Sequence, residues 1–448
     1  MNTDTIYALS SGSVPAGLAV IRLSGQHSLA ALGRLTAKGS PRQAPPPRLA
    51  RRVTITDADG GGAIDEGLAL WFPSPTSFTG EDVVELHLHG GRAVISAVLE
   101  ALAHCPGLRM AEPGEFTRRA FENGKLDLTA AEGLADLIAA ETEAQRRQAL
   151  RQMRGGLGRI YESWRHRLLE ALAHMEASID FSDEELPEGI AARVRREVGG
   201  LDAEIAHHLR DQRRGERLRD GVHLAIIGPP NAGKSSLLNW LARRDAAIVA
   251  ATAGTTRDII EAHLDVGGYP AVLSDTAGLR AGGGEIEAEG VRRARQRAAD
   301  ADLKLAVLDG EAWPRVDPYT AQLIDENSLV VINKSDLAEL PPPLSVNGRP
   351  ALAISVLNGA GLDDFMKTLA SQVAARCRIT AAPAVTRVRH RRALEDCRQA
   401  LTRSLKTEAS ELAGEDLRLA VRCLGRITGR VDVEDILDVV FEDFCIGK

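Results

Sequence analysis

The segment GPPNAGKS, residues 228–235, decides the fold of the central part of this chain. It follows the apolar run 222–227 and precedes a helix-like segment, residues 236–242. A strand, a glycine-rich turn and a helix in this order are typical of a phosphate-binding loop. Glycines let backbone N–H groups surround phosphate oxygens, while Lys234 suits the β- and γ-phosphates and Ser235 suits Mg²⁺. The pattern therefore predicts a nucleotide site in an α/β domain.

Three later motifs indicate which nucleotide is bound; the third, AIS at residues 353–355, ends another strand and is the usual backup contact to the base. SDTAG, residues 274–278, ends an apolar run and places Asp275 to hold Mg²⁺ through water, with the Gly278 N–H facing the γ-phosphate. NKSD, residues 333–336, offers a carboxylate that selects guanine, because guanine has two donors where adenine has none. The order and spacing match a Ras-like GTPase. The predicted nucleotide-binding set is Asn231, Ala232, Gly233, Lys234, Ser235, Ser236, Thr255, Thr256, Asp275, Thr276, Ala277, Gly278, Asn333, Lys334, Asp336 and Ser355.

Length and composition limit the class of protein. A chain of 448 residues favours two or three domains. It shows no apolar run of transmembrane length and no signal-peptide pattern, so we expect a cytoplasmic protein with no membrane segment. The five cysteines are scattered and include no C-x-x-C pair, which favours reduced thiols over disulfides or structural zinc. The net charge of −7 argues against binding of nucleic acid through the overall charge of the protein, but a local basic patch remains possible.

The hydrophobic periodicity changes along the chain and predicts its domains. Residues 1–120 alternate between strand and helix patterns, as in an α+β domain. Residues 121–220 and 375–448 carry apolar residues at helical spacing, and between them lies the Ras-like domain, residues 221–374. We therefore expect a multidomain protein: an α+β N-terminal domain and a discontinuous helical-bundle domain into which the P-loop domain is inserted. Thr129 and Glu132 are predicted to form a capping box at the start of one helix.

The residues for hydrolysis are less plain. Many Ras-like enzymes place a water-orienting glutamine directly after the DxxG motif, and here that position is Leu279. Glu285 and Glu287 follow three glycines, and such a carboxylate could reach the attacking water. A solvated helix start is the alternative reading of these glutamates. Arg257 could act as an arginine finger, although a surface charge or an ion pair with its neighbour Asp258 is the commoner role.

Two polar residues near the phosphate loop suit cations. Thr256 suits contacts to Mg²⁺ and the γ-phosphate. The amide oxygen of Asn231, together with carbonyl groups of residues 250–258, could coordinate a monovalent cation. Such an ion would supply the positive charge that an arginine finger gives in other GTPases.

Motifs outside the P-loop domain add a specific resemblance. SFTGED at residues 77–82, GEFTRRAFENGKLDL at 114–128 and the C-terminal FCIGK at 444–448 resemble the MnmE/TrmE family of tRNA-modification GTPases. The resemblance covers nearly the whole chain. It implies an enzyme that hydrolyses GTP to GDP and phosphate. With an FAD- and NADH-dependent partner, MnmG (GidA), such an enzyme adds an aminomethyl or carboxymethylaminomethyl group to C5 of the wobble uridine of certain tRNAs.

The same resemblance implies cofactors and an assembly. It implies a homodimer that forms a heterotetramer or larger complex with MnmG, activation by K⁺, and a bound 5-formyltetrahydrofolate or related folate. Glu287 matches the general base, and Cys445 is a candidate thiol for uridine chemistry or, equally, an ordinary free thiol. The matching ligand positions are Ser235 and Thr256 for Mg²⁺; Asn231, Ala250, Thr252 and Thr255 for K⁺; and Arg22, Glu85, Lys125 and Lys448 for folate, which otherwise would be strand-face charges and a helix-end cation.

Departures from the family pattern and one other class remain to be weighed. Ala250 and Ala251 stand where family members often carry Thr-Asp, and Val356 replaces an alanine, so cation and GTP affinity are open. The alternative function is a regulatory GTPase switch, for example in ribosome assembly. Such a factor is expected to carry a basic RNA-binding module, such as a KH domain with a GXXG loop. The C-terminal region here instead has mixed-charge amphipathic helices.

Overall fold

The structure is a computed structural model that divides the chain into two compact units. It describes residues 4–36, 45–57, 62–180, 190–243, 247–248, 261–274, 296, 298–342, 344–378, 383–431, 437, 440–441, 444 and 446–447. Unit 1 comprises residues 1–135, 153–166 and 421–448, and unit 2 comprises residues 136–152 and 167–420. The three-domain boundaries expected from the sequence stay a prediction, because this division by contacts does not test them.

Unit 1 is built on a six-stranded sheet. Neighbouring strands follow the order β3-β4-β5-β2-β1-β6, and all pairs are antiparallel except β1 with β6. One face carries the buried side chains, including Ala19, Ile21 and Leu23 of β2, because side chains alternate along a strand. The strands are β1 (Thr5–Leu9), β2 (Ala16–Ser24), β3 (Arg51–Thr56), β4 (Ala63–Phe72), β5 (Val83–Gly90) and β6 (Leu108–Met110).

Unit 2 contains an eight-stranded sheet. Its order is β13-β14-β12-β11-β7-β10-β9-β8, with a parallel centre from β14 to β10 and antiparallel strands at both edges. The central strands are buried almost continuously, as expected for a parallel sheet covered on both faces. The strands are β7 (Val222–Ile227), β8 (Ala247–Ile248), β9 (Glu261–Val266), β10 (Tyr269–Ser274), β11 (Leu303–Asp309), β12 (Ser328–Asn333), β13 (Ser345–Val346) and β14 (Arg349–Ala353).

The helices fall largely where apolar residues recur at spacings of three and four. In the described residues they are α1 (Ser28–Leu35), α2 (Arg92–Ala103), α3 (Glu115–Glu122), α4 (Leu128–Ala139), α5 (Glu143–Met153), α6 (Gly156–Asp180), α7 (Ile190–Leu209), α8 (Arg214–Asp220), α9 (Lys234–Arg243), α10 (Pro318–Leu323), α11 (Leu362–Cys377), α12 (Val388–Lys406) and α13 (Ser410–Thr428), with a 3₁₀ turn at Gly310–Ala312. The amphipathic helices α7 and α12 pack against each other.

The start of α4 differs from the expected capping box. The helix begins at Leu128, and the Oδ1 atom of Asp127 accepts hydrogen bonds from Ala130 N at 2.8 Å and from the Thr129 hydroxyl at 2.6 Å. Thr129 and Glu132 lie buried inside the helix. The capping-box prediction was therefore wrong, because Asp127, two residues before Thr129, already accepts the hydrogen bond from the N–H group of Ala130 at the start of the helix.

In unit 1, the last described residues of the chain pack onto the N-terminal sheet and α3–α4. The rings of Phe441 and Phe444 lie 5.8 Å apart and belong to an apolar cluster with Leu128. The Ser10 hydroxyl donates to the carbonyl of Gly447 at 2.7 Å. Gly447 has a φ of +97°, and a side chain there would collide with the carbonyl of Leu9, so glycine is required at this contact.

In unit 2, a buried ion cluster joins the segments on either side of the eight-stranded sheet. Arg391 of α12 donates to Glu216 Oε1 at 2.6 Å and to Asp211 Oδ1 at 2.7 Å, and both carboxylates precede β7 in sequence. Gly215 approaches the backbone carbonyl of Val385 too closely for any side chain. The two ends of the α/β segment therefore lie side by side, which is the geometry that an inserted domain requires.

One histidine of unit 2, His208, interacts electrostatically with members of this cluster. Burial lowers the pKa of His208 to about 4, although Asp211 opposes the shift; Arg391, His390 and His207 add to the lowering.

None of the described helices is long and apolar enough to cross a membrane.

We predict that acidification destabilises unit 2 partly through His208. Between pH ~6.5 and ~4 the unfolded chain binds a proton on this residue and the folded chain does not, so the free energy of unfolding falls as pH falls, by up to about 3 kcal/mol. Chemical denaturation across this pH range should show a shallower loss for His208→Gln than for the unsubstituted chain. His174→Gln, at an exposed position on α6, is the control. Equal slopes for all three proteins would contradict the prediction.

Candidate nucleotide site

The phosphate loop lies between β7 and α9, as predicted. Gly228 and Gly233 have φ values of +149° and +92°, and Asn231 is also left-handed, with a φ of +62°. A side chain at Gly228 would overlap the carbonyl of Val307, and one at Gly233 would overlap the Asn333 amide nitrogen. Only glycine fits these two close approaches, so the loop curls tightly between its strand and its helix.

Lys234 places its charge at the mouth of this loop. Its Nζ atom donates to the carbonyl oxygens of Gly228 at 2.9 Å and Pro229 at 2.6 Å. Burial lowers the pKa of Lys234, because these carbonyl groups compensate incompletely for lost water. A phosphate group bound in the loop would supply the opposite charge, so the arrangement fits an anionic ligand. Ser235 and Ser236 are exposed at the start of α9.

Asn333 joins the phosphate loop to the segment that is expected to read the base. It is only 4% exposed at the end of β12. Its Nδ2 atom donates to the carbonyl of Ala232 at 2.9 Å, and its Oδ1 atom accepts from Val356 N at 3.1 Å. One side chain therefore fixes three loops, those at residues 228–233, 333–336 and 355–361. Val356 contributes its backbone N–H to this contact, which does not depend on its side chain.

The other base-site residues occupy the same end of the sheet. Asp336 is exposed, and Ser355 is fully buried with its N–H donating to Ala360 O at 2.9 Å. The Nζ atom of Lys334 is bonded to Asp309 Oδ2 at 2.7 Å and Glu311 Oε2 at 3.0 Å. These bonds raise the pKa of Lys334, with Asp309 contributing most. Nothing in the motif pattern pointed to Asp309 or Glu311, since they follow a different strand.

In unit 1, Arg22 and Glu85 come together on adjacent strands. Arg22 Nε donates to Glu85 Oε1 at 3.0 Å, and its guanidinium carbon lies 5.7 Å from the ring centres of both Phe78 and Phe116. A guanidinium and a carboxylate beside aromatic rings fit a planar heterocycle that carries hydrogen-bonding groups. Lys125 donates instead to the carbonyl of Pro75 at 2.8 Å. The sequence pattern did not single out the two phenylalanines.

Several predicted site residues lie outside the described residues. They are Ala250, Thr252, Thr255, Thr256, Asp275, Thr276, Ala277, Gly278, Glu287, Cys445 and Lys448. Among the residues that are described, no group of three or more His, Cys, Asp or Glu side chains is arranged to hold a metal ion. His87 contacts Glu85 at 3.3 Å, and His89 contacts Asp65 at 2.8 Å.

We predict that Asn333→Asp weakens nucleotide binding. The carboxylate could still accept from Val356 N, but it has no hydrogen to donate to Ala232 O and would place two acceptors face to face in a buried position. The dissociation constant for GDP, measured by calorimetry, should rise at least about 10-fold. Asn347→Asp is the matched control, because Asn347 Nδ2 also donates to a carbonyl, that of Ala321 at 2.8 Å, but on an exposed turn. Unchanged GDP affinity in Asn333→Asp would contradict this role.

Comparison with known proteins covers the whole chain. Residues 5–125 match the family model of the GTP-binding protein TrmE N-terminus, and residues 128–445 match that of the MnmE helical domain. The tRNA modification GTPase MnmE of Paramagnetospirillum magneticum is 57% identical over 446 residues, covering 100% of both chains. The protein of the same name from Parvibaculum lavamentivorans is 56% identical over 450 residues, with 99% of this chain and 100% of the relative covered.

A eukaryotic relative is also similar over most of its length. The human mitochondrial 5-taurinomethyluridine-[tRNA] synthase subunit GTPB3 is 50% identical over 462 residues, covering 99% of this chain and 93% of the relative. Because the identity extends over the full length, the similarity is not confined to the P-loop domain. The chain belongs to the MnmE/TrmE family of tRNA modification GTPases.

Proposed function

We propose that this chain binds GTP on the phosphate loop and hydrolyses it to GDP and phosphate in the service of tRNA modification. The observation that carries the proposal is Asn333, one buried side chain that holds the phosphate loop and the guanine-selecting segment together. Relatives of this chain are named as tRNA modification GTPases. In the proposed layout, residues 221–374 form the GTPase domain, inserted in a helical domain of residues 121–220 and 375–448 that follows the N-terminal domain, residues 1–120.

The nucleotide-binding residues divide by chemistry in this proposal. Lys234 binds the β- and γ-phosphates, and Asp336 accepts the two guanine donors that adenine lacks. Ser235 and Thr256 would hold Mg²⁺, which neutralises charge on the phosphates, with Asp275 acting through water. The remaining proposed contacts, to phosphates, ribose or base, are Asn231, Ala232, Gly233, Ser236, Thr255, Thr276, Ala277, Gly278, Asn333, Lys334 and Ser355.

Hydrolysis requires an oriented water and extra positive charge near the leaving phosphate. Leu279 cannot orient water, and we assign this role to the carboxylate of Glu287. Asn231 is exposed on the phosphate loop, so its amide oxygen suits a cation. With Ala250, Thr252 and Thr255 it would form a K⁺ site, where the ion supplies charge that an arginine supplies elsewhere.

The N-terminal domain has a separate proposed role. Arg22 and Glu85, with Lys125 and Lys448, would bind 5-formyltetrahydrofolate or a related folate as the one-carbon donor, a role supported by the contact of Arg22 with Glu85 beside two phenyl rings. The proposal includes a cytoplasmic homodimer that works with the FAD-dependent MnmG (GidA) on C5 of the wobble uridine of tRNA. Cys445 is kept as a candidate thiol for that step.

Potassium dependence tests the proposed cation site. GTP turnover should be several-fold faster in KCl than in NaCl at equal ionic strength, because a bound K⁺ would stabilise the charge that develops on the phosphate groups as the bond to the γ-phosphate breaks. The measurement is steady-state phosphate release from the full chain in the two salts. Asn231→Ala should remove most of the difference, while Asn347→Ala, on the exposed turn between β13 and β14 and likewise at a positive φ, should keep it. Equal rates in both salts would exclude the K⁺ site but would not contradict the proposal that the chain binds GTP.

Coupling to tRNA is tested in a bacterium that lacks its own enzyme of this type. We expect this chain, co-expressed with the flavoprotein of the same source, to restore C5-modified wobble uridine, detected by mass spectrometry of tRNA nucleosides. Glu287→Ala should bind GTP with nearly unchanged affinity, fail to hydrolyse it and fail to restore the modification. If the folded, GTP-hydrolysing chain restores no modification, the regulatory switch becomes the better function. Loss of GTP binding in the variant would mean that Glu287 is structural.

A further inference from the structure

The carboxylates of Asp309 and Glu311 occupy a position that the proposed function does not use. Asp309 is the last residue of β11, and Glu311 lies in the 3₁₀ turn that follows. Both bind the Nζ atom of Lys334, at 2.7 Å and 3.0 Å. Lys334 belongs to the base-reading segment after the neighbouring strand β12. Two strand ends are thus joined by a cation that is itself expected to contact the nucleotide.

The two carboxylates differ in how deeply they are buried. The Asp309 side chain is 17% exposed, whereas that of Glu311 is 56% exposed. An ion pair loses strength with solvent exposure, so the contact with Asp309 dominates. Asp309 is also fixed from its other side, because its Oδ1 atom accepts from the N–H of Glu311 at 3.1 Å and caps the 3₁₀ turn. Its Oδ2 atom is therefore presented to Lys334 in one direction.

The backbone conformation of Lys334 and its anchored ammonium group together restrict where the lysine side chain can lie. The residue has a φ of +64°, in the left-handed region, and its carbonyl group lies beside Gly310 and accepts from Leu337 N at 3.0 Å. A lysine side chain has four rotatable bonds and gives up much rotamer freedom when it is fixed. With the ammonium group held by Asp309, the aliphatic stem is ordered before any ligand binds. An ordered stem offers an apolar edge on which a planar base can rest.

We propose that Asp309 is a positioning residue for the guanine nucleotide and that it acts through Lys334. The inference rests on the proposed function, since it presumes that residues 333–336 receive the base. Glu311 assists in the same direction with a smaller effect. Asp309 touches neither the base nor the phosphates in this role; it orders the side chain that does.

Positioning and simple charge repulsion predict opposite changes in nucleotide affinity when Asp309 is neutralised. A carboxylate near an anionic nucleotide repels it, so removing that charge would by itself tighten binding. Positioning predicts the reverse, a weaker complex when Asp309 is neutralised. Asp309→Asn is the suitable variant, because its amide oxygen can still cap the N–H of Glu311 while the ion pair with Lys334 is lost.

The test is calorimetric titration of the full chain with GDP. Asp309→Asn should raise the dissociation constant about 10-fold, and Glu311→Gln about 2-fold, as expected for a charge-assisted bond and for an exposed one. Asp317→Asn is the matched control: Asp317 caps α10 through Thr320 N at 2.8 Å and has no described contact with Lys334. The control should bind GDP like the unsubstituted chain.

A double-variant cycle separates positioning from a general structural role. In a Lys334→Met background, Asp309→Asn should cause no further loss of GDP affinity, whereas in Lys334→Arg, which keeps a cation, it should still weaken binding. Unchanged or tighter binding by Asp309→Asn would overturn the inference. So would a loss that persists in the Lys334→Met background. If the unsubstituted chain fails to bind GDP, the proposed function itself is wrong, and that outcome is distinct from both.

Discussion

Arg391 and its two carboxylates set the condition on which the arrangement of unit 2 depends. The α/β segment interrupts a set of helices, so the chain must leave the helices and return to them at nearly the same place. Arg391 enforces this by binding Asp211 and Glu216, which precede the segment, from a helix that follows it. Removing one partner of such a buried pair typically costs about 3–5 kcal/mol, because the remaining charge stays desolvated. The close approach of Gly215 to Val385 belongs to the same junction.

Further polar contacts tie the first helices of unit 2 to the same sheet. Asp136 accepts from Arg219 at 3.0 Å and from Arg387 at 2.8 Å, again joining residues on both sides of the α/β segment. The N–H of Ala144 donates to the carbonyl of Gly268 in the turn between β9 and β10, at 3.1 Å. That hairpin separates the segment containing Thr256 from the one containing Asp275.

Within the site, the same logic of fixing distant segments operates on a smaller scale. Asn333 spans three loops, and Asp309 with Lys334 spans two strand ends. Both links use side chains at the carboxyl ends of parallel strands, where the loops of an α/β sheet converge. Because neither link involves the ligand, the side chains of Asn333 and Lys334 are held in place before a nucleotide arrives, which lowers the entropy that these two residues lose on binding.

The sequence by itself determined the type of each domain and the position of the nucleotide motifs. Apolar periodicity located the strands and helices, and the glycine, lysine and aspartate positions followed from phosphate and guanine chemistry. The cap of α4 was assigned to Thr129 instead of Asp127, since local propensity does not rank competing caps. Only the tertiary structure decided that Asn333 bridges loops, that Asp309 anchors Lys334, and that Arg22 lies near two phenyl rings. These contacts join residues far apart in sequence, and their geometry depends on strand order and register, which no local pattern specifies.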